Sequence, residues 1–269
     1  MSHVIAEPLT PSEASARVRE VRPYSFLGLV ISFVGICALG SALMALGAGI
    51  WIAIVGLEAV QGAITRMSRV PINDIRNAAH EVQMVFYGVT AASFVGFGLA
   101  TLAFAWLRGG KDWRIPLAWN EAAGWPSRRG QIVLVASALA YLVVAGFGIK
   151  LIYPQFQTWF FVPTTAAGLV LSFVTVVILA PLVEELIFRG WIYTSLRQSF
   201  GVWPAIAITA AIFALVHMDP TRLYPLLIFI PGLMLTIIRE KNGSAKASFY
   251  AHAAYNFLAW IIVLTVGNS

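Results

Sequence analysis

Polar and charged residues divide the chain into long apolar runs at about 24–60, 82–107, 131–153, 159–183, 202–217, 223–238 and 247–267. Several of them approach or exceed the ~20 residues with which a helix crosses a bilayer. The first run carries no charge except Glu58, which is expected near the interface. It is long for one upright helix and short for a pair. Its glycines (Gly28, Gly35, Gly40, Gly47, Gly49 and Gly56) suit close helix contact or a bend. A polar stretch at 61–80 follows. Between the second and third runs lies a loop with Trp113, Trp119 and Trp125, ending in "SRRG" at 127–130. Its tryptophans suit an interfacial belt. The pattern predicts an all-α polytopic transmembrane bundle of about seven spans, or eight with one re-entrant or interfacial helix. There is no internal repeat and no low-complexity tract.

Composition agrees. The chain is 59% hydrophobic and 11% charged, with a mean hydropathy of +0.80. A soluble domain is typically about 45–50% apolar and about 25% charged. The net charge of +6 and pI near 9.7 come from basic residues lying mainly in short loops between apolar runs. That distribution signals orientation in a lipid bilayer, and it gives no basic stripe for nucleic acid. With seven spans, 13 Lys and Arg fall on the N-terminal side and 5 on the other. If the first run were a hairpin the split would be 8 against 10. A cytoplasmic N-terminus in a bacterial inner membrane is therefore expected. Residues 1–23 form a polar tail without the apolar core of a signal peptide, so the first run would act as an uncleaved anchor. Residues 24–158 read as accessory transmembrane helices, and 159–267 as the core that carries the chemistry. The lone Cys37 excludes a disulfide within the chain and a cysteine metal cluster.

Ionisable groups at membrane depth are functional candidates because burying them there is unfavourable. Here they form a small set: Glu184, Glu185 and Arg189 in "EELIFR", His217 in "FALVH", and His252 and Asn256 in "HAAYN". His3 and His80 lie in the tail and in a loop. Asp219, before Pro220, suits a turn. Glu185 and Arg189 are four apart and can pair on one helix face, which leaves Glu184 free on another. Phe213 and His217 share a face, as do His252 and Asn256. Glu184 lies 14 residues before the polar turn at 198–201, and His217 lies 16 residues after it. Two antiparallel helices rising ~1.5 Å per residue would carry both to ~20 Å from that turn, facing each other. His252 lies only six residues past Lys246, so it is expected at a shallower level. A carboxylate beside an imidazole in a dry cavity can activate water, and Asn and a second His can serve a developing oxyanion. One such element alone is commonly structural; three at related depths are not easily dismissed.

These residues resemble the CAAX protease and bacteriocin-processing family, also called the type II CAAX prenyl endopeptidase or ABI family. That family carries Glu-Glu-x-x-x-Arg, Phe-x-x-x-His and His-x-x-x-Asn (or Asp) on successive membrane helices. The chain matches with Glu184, Glu185 and Arg189, with Phe213 and His217, and with His252 and Asn256. The resemblance covers about residues 160–265. It implies an intramembrane endopeptidase of the glutamate type, acting on a peptide or membrane-associated protein. Glu184 would be the general base and His217 its partner. His252 and Asn256 would form the oxyanion site, supported by Glu185, Arg189 and Phe213. No cofactor is expected; if a divalent metal is present, its ligands would be Glu184, His217 and His252. The motifs of other membrane proteases, His-Glu-x-x-His, Gly-x-Ser-Gly and Gly-x-Gly-Asp, are missing from the chain. The alternative is a non-catalytic scaffold or bacteriocin-immunity protein of the same fold, which binds a peptide without cutting it.

Overall fold

Each apolar run lies on a helix. The computed structural model describes residues 26–67, 80–120, 128–152, 162–217 and 224–266, and all regular structure there is helical. In chain order the helices are α1 (Phe26–Val55), α2 (Leu57–Met67), α3 (His80–Gly109), α4 (Arg128–Ile152), α5 (Ala166–Phe200), α6 (Val202–Leu215), α7 (Tyr224–Asn242) and α8 (Ala245–Val266). The tail at 1–23, Trp125 and Asp219 lie outside the described residues. His80, expected in a loop, starts α3.

The expected span count needs correction. Among the described residues, four helices are long and apolar enough to cross a membrane, not seven or eight. They are Leu27–Val55, Val82–Asp112, Ala166–Phe200 and Ala245–Thr265. Two of the remaining runs fail for physical reasons. α6 has 14 residues and rises about 21 Å, short of the ~30 Å hydrocarbon core. In α4 the described side chains run only from Ala136 to Gly148, too few to be counted as a span. α7 contains Pro231 and ends in Arg239, Glu240 and Lys241. Run length alone does not reveal where a helix stops or how far it rises.

α1 and α3 pack antiparallel over most of their length, and small residues permit it. Gly47 meets Ala92, Gly40 meets Phe97, and Gly35 meets Phe104. A Cβ on Gly96 would lie 2.6 Å from the Met44 backbone nitrogen, so only glycine fits. The first run does not continue straight. Gly56, at φ 95°, ends α1 and turns the chain into α2, which carries exposed Glu58 in its first turn. α3 also backs the core: a Cβ on Gly98 would stand 2.9 Å from Val183.

α5 is the axis of the C-terminal half. Thr165 caps its start by accepting from the Gly168 N–H at 3.1 Å. The helix then runs straight through the glutamates, where the apolar pattern had stopped at 183. Two segments, Val174–Leu179 and Glu185–Ile192, are wound as wide π turns on either side of Ala180–Glu184. Pro181, which has no N–H to give, sits between them. Gly201, at φ 78°, then reverses the chain into α6.

One end of the bundle gathers the loops that follow α3, α5 and α7. The segment Trp113–Asn120 folds under that end, with Leu117 and Ala118 buried. The Ala118 carbonyl accepts from the Ala245 N–H at 2.9 Å, and Ser244 Oγ donates to the Asn120 carbonyl. Trp113 and Trp119, half-buried, pack against the core. Arg197 binds Glu240 with two hydrogen bonds of 2.7 and 2.8 Å, and the Tyr193 hydroxyl donates to the same carboxylate at 2.8 Å. Burial raises the Glu240 carboxyl, but the bonds from Arg197 and Tyr193 outweigh it, and the net position is below the ordinary 4.5. A folded-state value below the unfolded one stabilises fully above the ordinary carboxylate range and fades as pH falls through the lower folded value. The thermal-stability advantage of the native chain over Glu240→Gln should therefore hold at neutral pH and shrink below about pH 4. An advantage that stays constant into strong acid would contradict this linkage.

Candidate active site

The two glutamates on α5 have different surroundings. Glu185 and Arg189 form an ion pair at 2.8 Å, and both side chains are 0% exposed. Arg189 also donates to the Gly232 carbonyl of α7 at 3.1 Å, and the Thr236 hydroxyl donates to the same carbonyl at 2.7 Å. The guanidinium lies over the Phe213 ring, 4.2 Å from its centroid. Gly190 lets this turn press on the buried loop: a Cβ there would sit 2.8 Å from the Leu117 carbonyl oxygen.

Glu184 instead stands between two imidazoles. His217 Nε2 is 3.8 Å from Glu184 Oε1, and His252 Nε2 is 3.8 Å from Oε2. Both separations exceed a direct hydrogen bond and are short enough for one small polar molecule to bridge the two groups from the side. The Glu184 side chain is 13% exposed, that of His217 25% and that of His252 6%. Access therefore comes from the His217 side, where Leu215 and Val216 are exposed.

The other ring nitrogens fix the tautomers. His217 Nδ1 is 2.7 Å from the Phe213 carbonyl, which can only accept, so Nδ1 carries a hydrogen. His252 Nδ1 is 2.9 Å from Glu185 Oε1, a carboxylate acceptor, and the same follows. In its neutral form each ring thus turns the Nε2 lone pair toward one oxygen of Glu184. Phe213 organises the group: its ring centroid lies 4.7 Å from that of His217, 5.8 Å from that of His252 and 5.1 Å from that of Phe188.

The structure therefore brings Glu184, Glu185, Arg189, Phe213, His217 and His252 into one cluster. Asn256 stands one turn further along α8, where its amide donates to the Val176 carbonyl at 2.9 Å. That bond uses one of its two amide hydrogens. His252 lies deeper than counting from Lys246 implies. α8 does not start at a water-facing surface, since Ser244, Ala245 and Ser248 are buried beneath the Trp113–Asn120 segment. Among the described residues, no group of three or more His, Cys, Asp or Glu is arranged to hold a metal ion.

Several contributors escaped the sequence reading. Gly232 supplies the carbonyl that accepts from Arg189, with Thr236 donating to the same oxygen, and the only hint was a Pro-Gly pair within an apolar run. Arg239, counted as a loop charge, is buried at 7% exposure. Its neighbours Glu240 and Lys241 mask it in the pattern.

Residues 166–258, from the first turn of α5 into α8, match the family model described as type II CAAX prenyl endopeptidase Rce1-like. The matched segment contains every residue of the cluster. The chain is also 31% identical over 122 residues to an uncharacterized 24.3 kDa protein of Escherichia coli. That alignment covers 44% of this chain and 56% of the relative, so the chain spans just over half the length of the curated relative it matches. No solved structure matches the chain significantly. Over residues 166–258 the CAAX-protease resemblance is thus shown, on an integral membrane protein built from helices.

Proposed function

We propose that the protein is an intramembrane endopeptidase, cleaving a peptide or membrane-associated protein with water activated by Glu184 and His217. The observation that carries this reading is the Glu184 carboxylate set between two Nε2 atoms, each 3.8 Å away. A water bridging Glu184 and His217 from the open side gives one hydrogen to the carboxylate and one to the imidazole. Its oxygen bonds to the scissile carbonyl carbon while its proton passes to Glu184, and the carbonyl π pair moves onto oxygen. His252, its Nδ1–H anchored on Glu185, stabilises that oxygen in its doubly protonated form, in which Nε2–H donates to it. Collapse restores the carbonyl, breaks the C–N bond, and sends the Glu184 proton to the leaving amine.

The test uses purified protein in lipid nanodiscs with membrane-derived peptides in H₂¹⁸O. New C-termini carrying ¹⁸O, absent with a Glu184→Gln control, support hydrolysis. Retained peptides without new termini would favour the binding scaffold.

Orientation follows from charge within the described residues. Arg108, Lys111, Arg114, Arg197, Lys241 and Lys246 all lie at the end where α3, α5 and α7 finish and α8 starts. We infer that this end faces the cytoplasm of a bacterial inner membrane. α1, antiparallel to α3, then starts on the cytoplasmic side and α8 finishes on the other. A reporter fused after Asn268 that fluoresces only in the cytoplasm should stay dark, and a bright fusion would reverse this orientation.

A further inference from the structure

The two wide turns of α5 create the same defect, and other helices fill it both times. In a π turn each N–H bonds the carbonyl five residues back. When the ladder returns to the four-residue step, one carbonyl is passed over. At the first turn the Ala180 N–H bonds the Thr175 carbonyl and Pro181 has no N–H to give, so the Val176 carbonyl receives neither of these donors. Asn256 Nδ2 donates to that carbonyl at 2.9 Å. At the second turn the Tyr193 N–H bonds the Phe188 carbonyl, so the carbonyl passed over is that of Arg189. Arg239 Nε donates to it at 3.3 Å, and the Thr194 hydroxyl approaches it at 3.5 Å.

Arg239 has no carboxylate partner within ion-pair distance among the described residues. Its guanidinium reaches the Arg189 carbonyl and the Thr194 hydroxyl, at 3.4 Å, and lies over the Tyr193 ring at 5.8 Å. The Glu240 carboxylate acts on it only through space, and a buried cation without a directly paired counter-ion is normally disfavoured. Its place is understandable if the acceptor it reaches needs a donor that no backbone N–H supplies.

We propose that Arg239 is a positioning residue that holds the Glu185–Ile192 turn open by capping the Arg189 carbonyl, as Asn256 caps Val176 in the first turn. The consequence for the site is geometric. Each residue of an α-helix advances by about 100° around the axis. Rewinding one wide turn into the four-residue step rotates everything before it by about one residue relative to everything after it. Glu184 and Glu185 would then swing away from His217 and His252, with their own chemistry intact. The catalytic half of the proposal rests on the endopeptidase reading; the capping half does not.

The test compares the native chain with Arg239→Met, and with Arg239→Lys as the conservative variant, in lipid nanodiscs. Amide exchange over residues 185–194 should quicken about tenfold in the methionine variant, with little change elsewhere. Its kcat should fall about 100-fold with KM within about twofold, because substrate binds and the carboxylate is misplaced. The lysine variant should recover most of both. Unchanged exchange over 185–194 overturns the capping. Quickened exchange with native kcat per folded molecule overturns the positioning role and leaves a purely structural one. Should the methionine variant not fold, Arg239→Gln decides, since it keeps an N–H donor without the charge. Near-native exchange and kcat there support the cap, and failure like that of methionine shows that charge is the requirement and overturns it. If the native chain cleaves nothing, the endopeptidase reading fails, while the exchange result still decides the cap.

Discussion

Glu184→Gln is expected to accumulate like the native chain and to lose cleavage by about 10²–10⁴-fold. The side chain makes no direct hydrogen bond to either imidazole, since both Nε2 atoms are 3.8 Å from its oxygens. An amide of the same shape therefore removes no packing and leaves no cation unpaired. It also relieves the proximity of two carboxyl groups adjacent in sequence. What is lost is the base, because a carboxamide does not take a proton from water. His217→Ala should show a similar loss, and the double variant should be little worse than either single one, because both break one water-activating unit. The measurement is ¹⁸O incorporation into new termini, with protein level and thermal stability recorded for each variant. A folded Glu184→Gln protein that cleaves at the native rate would remove the glutamate mechanism and return the cluster to a binding role.

How much of this was visible in the sequence depended on what each residue is measured from. Glu184 and His217 share a reference point, the turn at Gly201, and sit on antiparallel helices leaving it. Counting residues therefore placed them opposite each other, and their side-chain atoms are 3.8 Å apart. His252 was measured from Lys246 as though α8 began at a surface. Its first turn is buried under a loop tied to Ala118, and no local feature of the sequence announces that contact. The span count failed for a similar reason: apolarity records what a segment tolerates, not its rise, and α6 is apolar but only 14 residues long. The wide turns left one weak trace, Pro181. Their caps, Asn256 and Arg239, come from helices 80 and 50 residues away. One already belonged to a motif and the other looked like an ordinary loop charge. Long-range backbone satisfaction of this kind has no periodic signature.

Glu185→Gln should behave in the opposite way to Glu184→Gln: it should cost about 3–5 kcal/mol of stability, seen as poor accumulation and a lowered unfolding temperature. Glu185 Oε1 receives both the Arg189 guanidinium at 2.8 Å and His252 Nδ1 at 2.9 Å, at a place with no exposure. A neutral amide leaves the guanidinium as a buried cation without its ion-pair partner, held chiefly by the Gly232 carbonyl and the Phe213 ring. Its oxygen can still accept one bond, so the loss should lie toward the lower end of that range. Removing both charges tests the cause. Glu185→Met combined with Arg189→Met replaces the pair by apolar groups of similar length, and buried pairs replaced in this way are often as stable as before. The double variant should therefore regain much of the lost stability, yet remain inactive, because His252 has lost the acceptor that fixes its tautomer. Thermal unfolding of the two single variants and the double in the same nanodiscs decides it. A double variant no more stable than the worse single one would mean that the pair is not the source of the loss. The packing of α5 against α7 and α8 around Glu185 would then have to explain it.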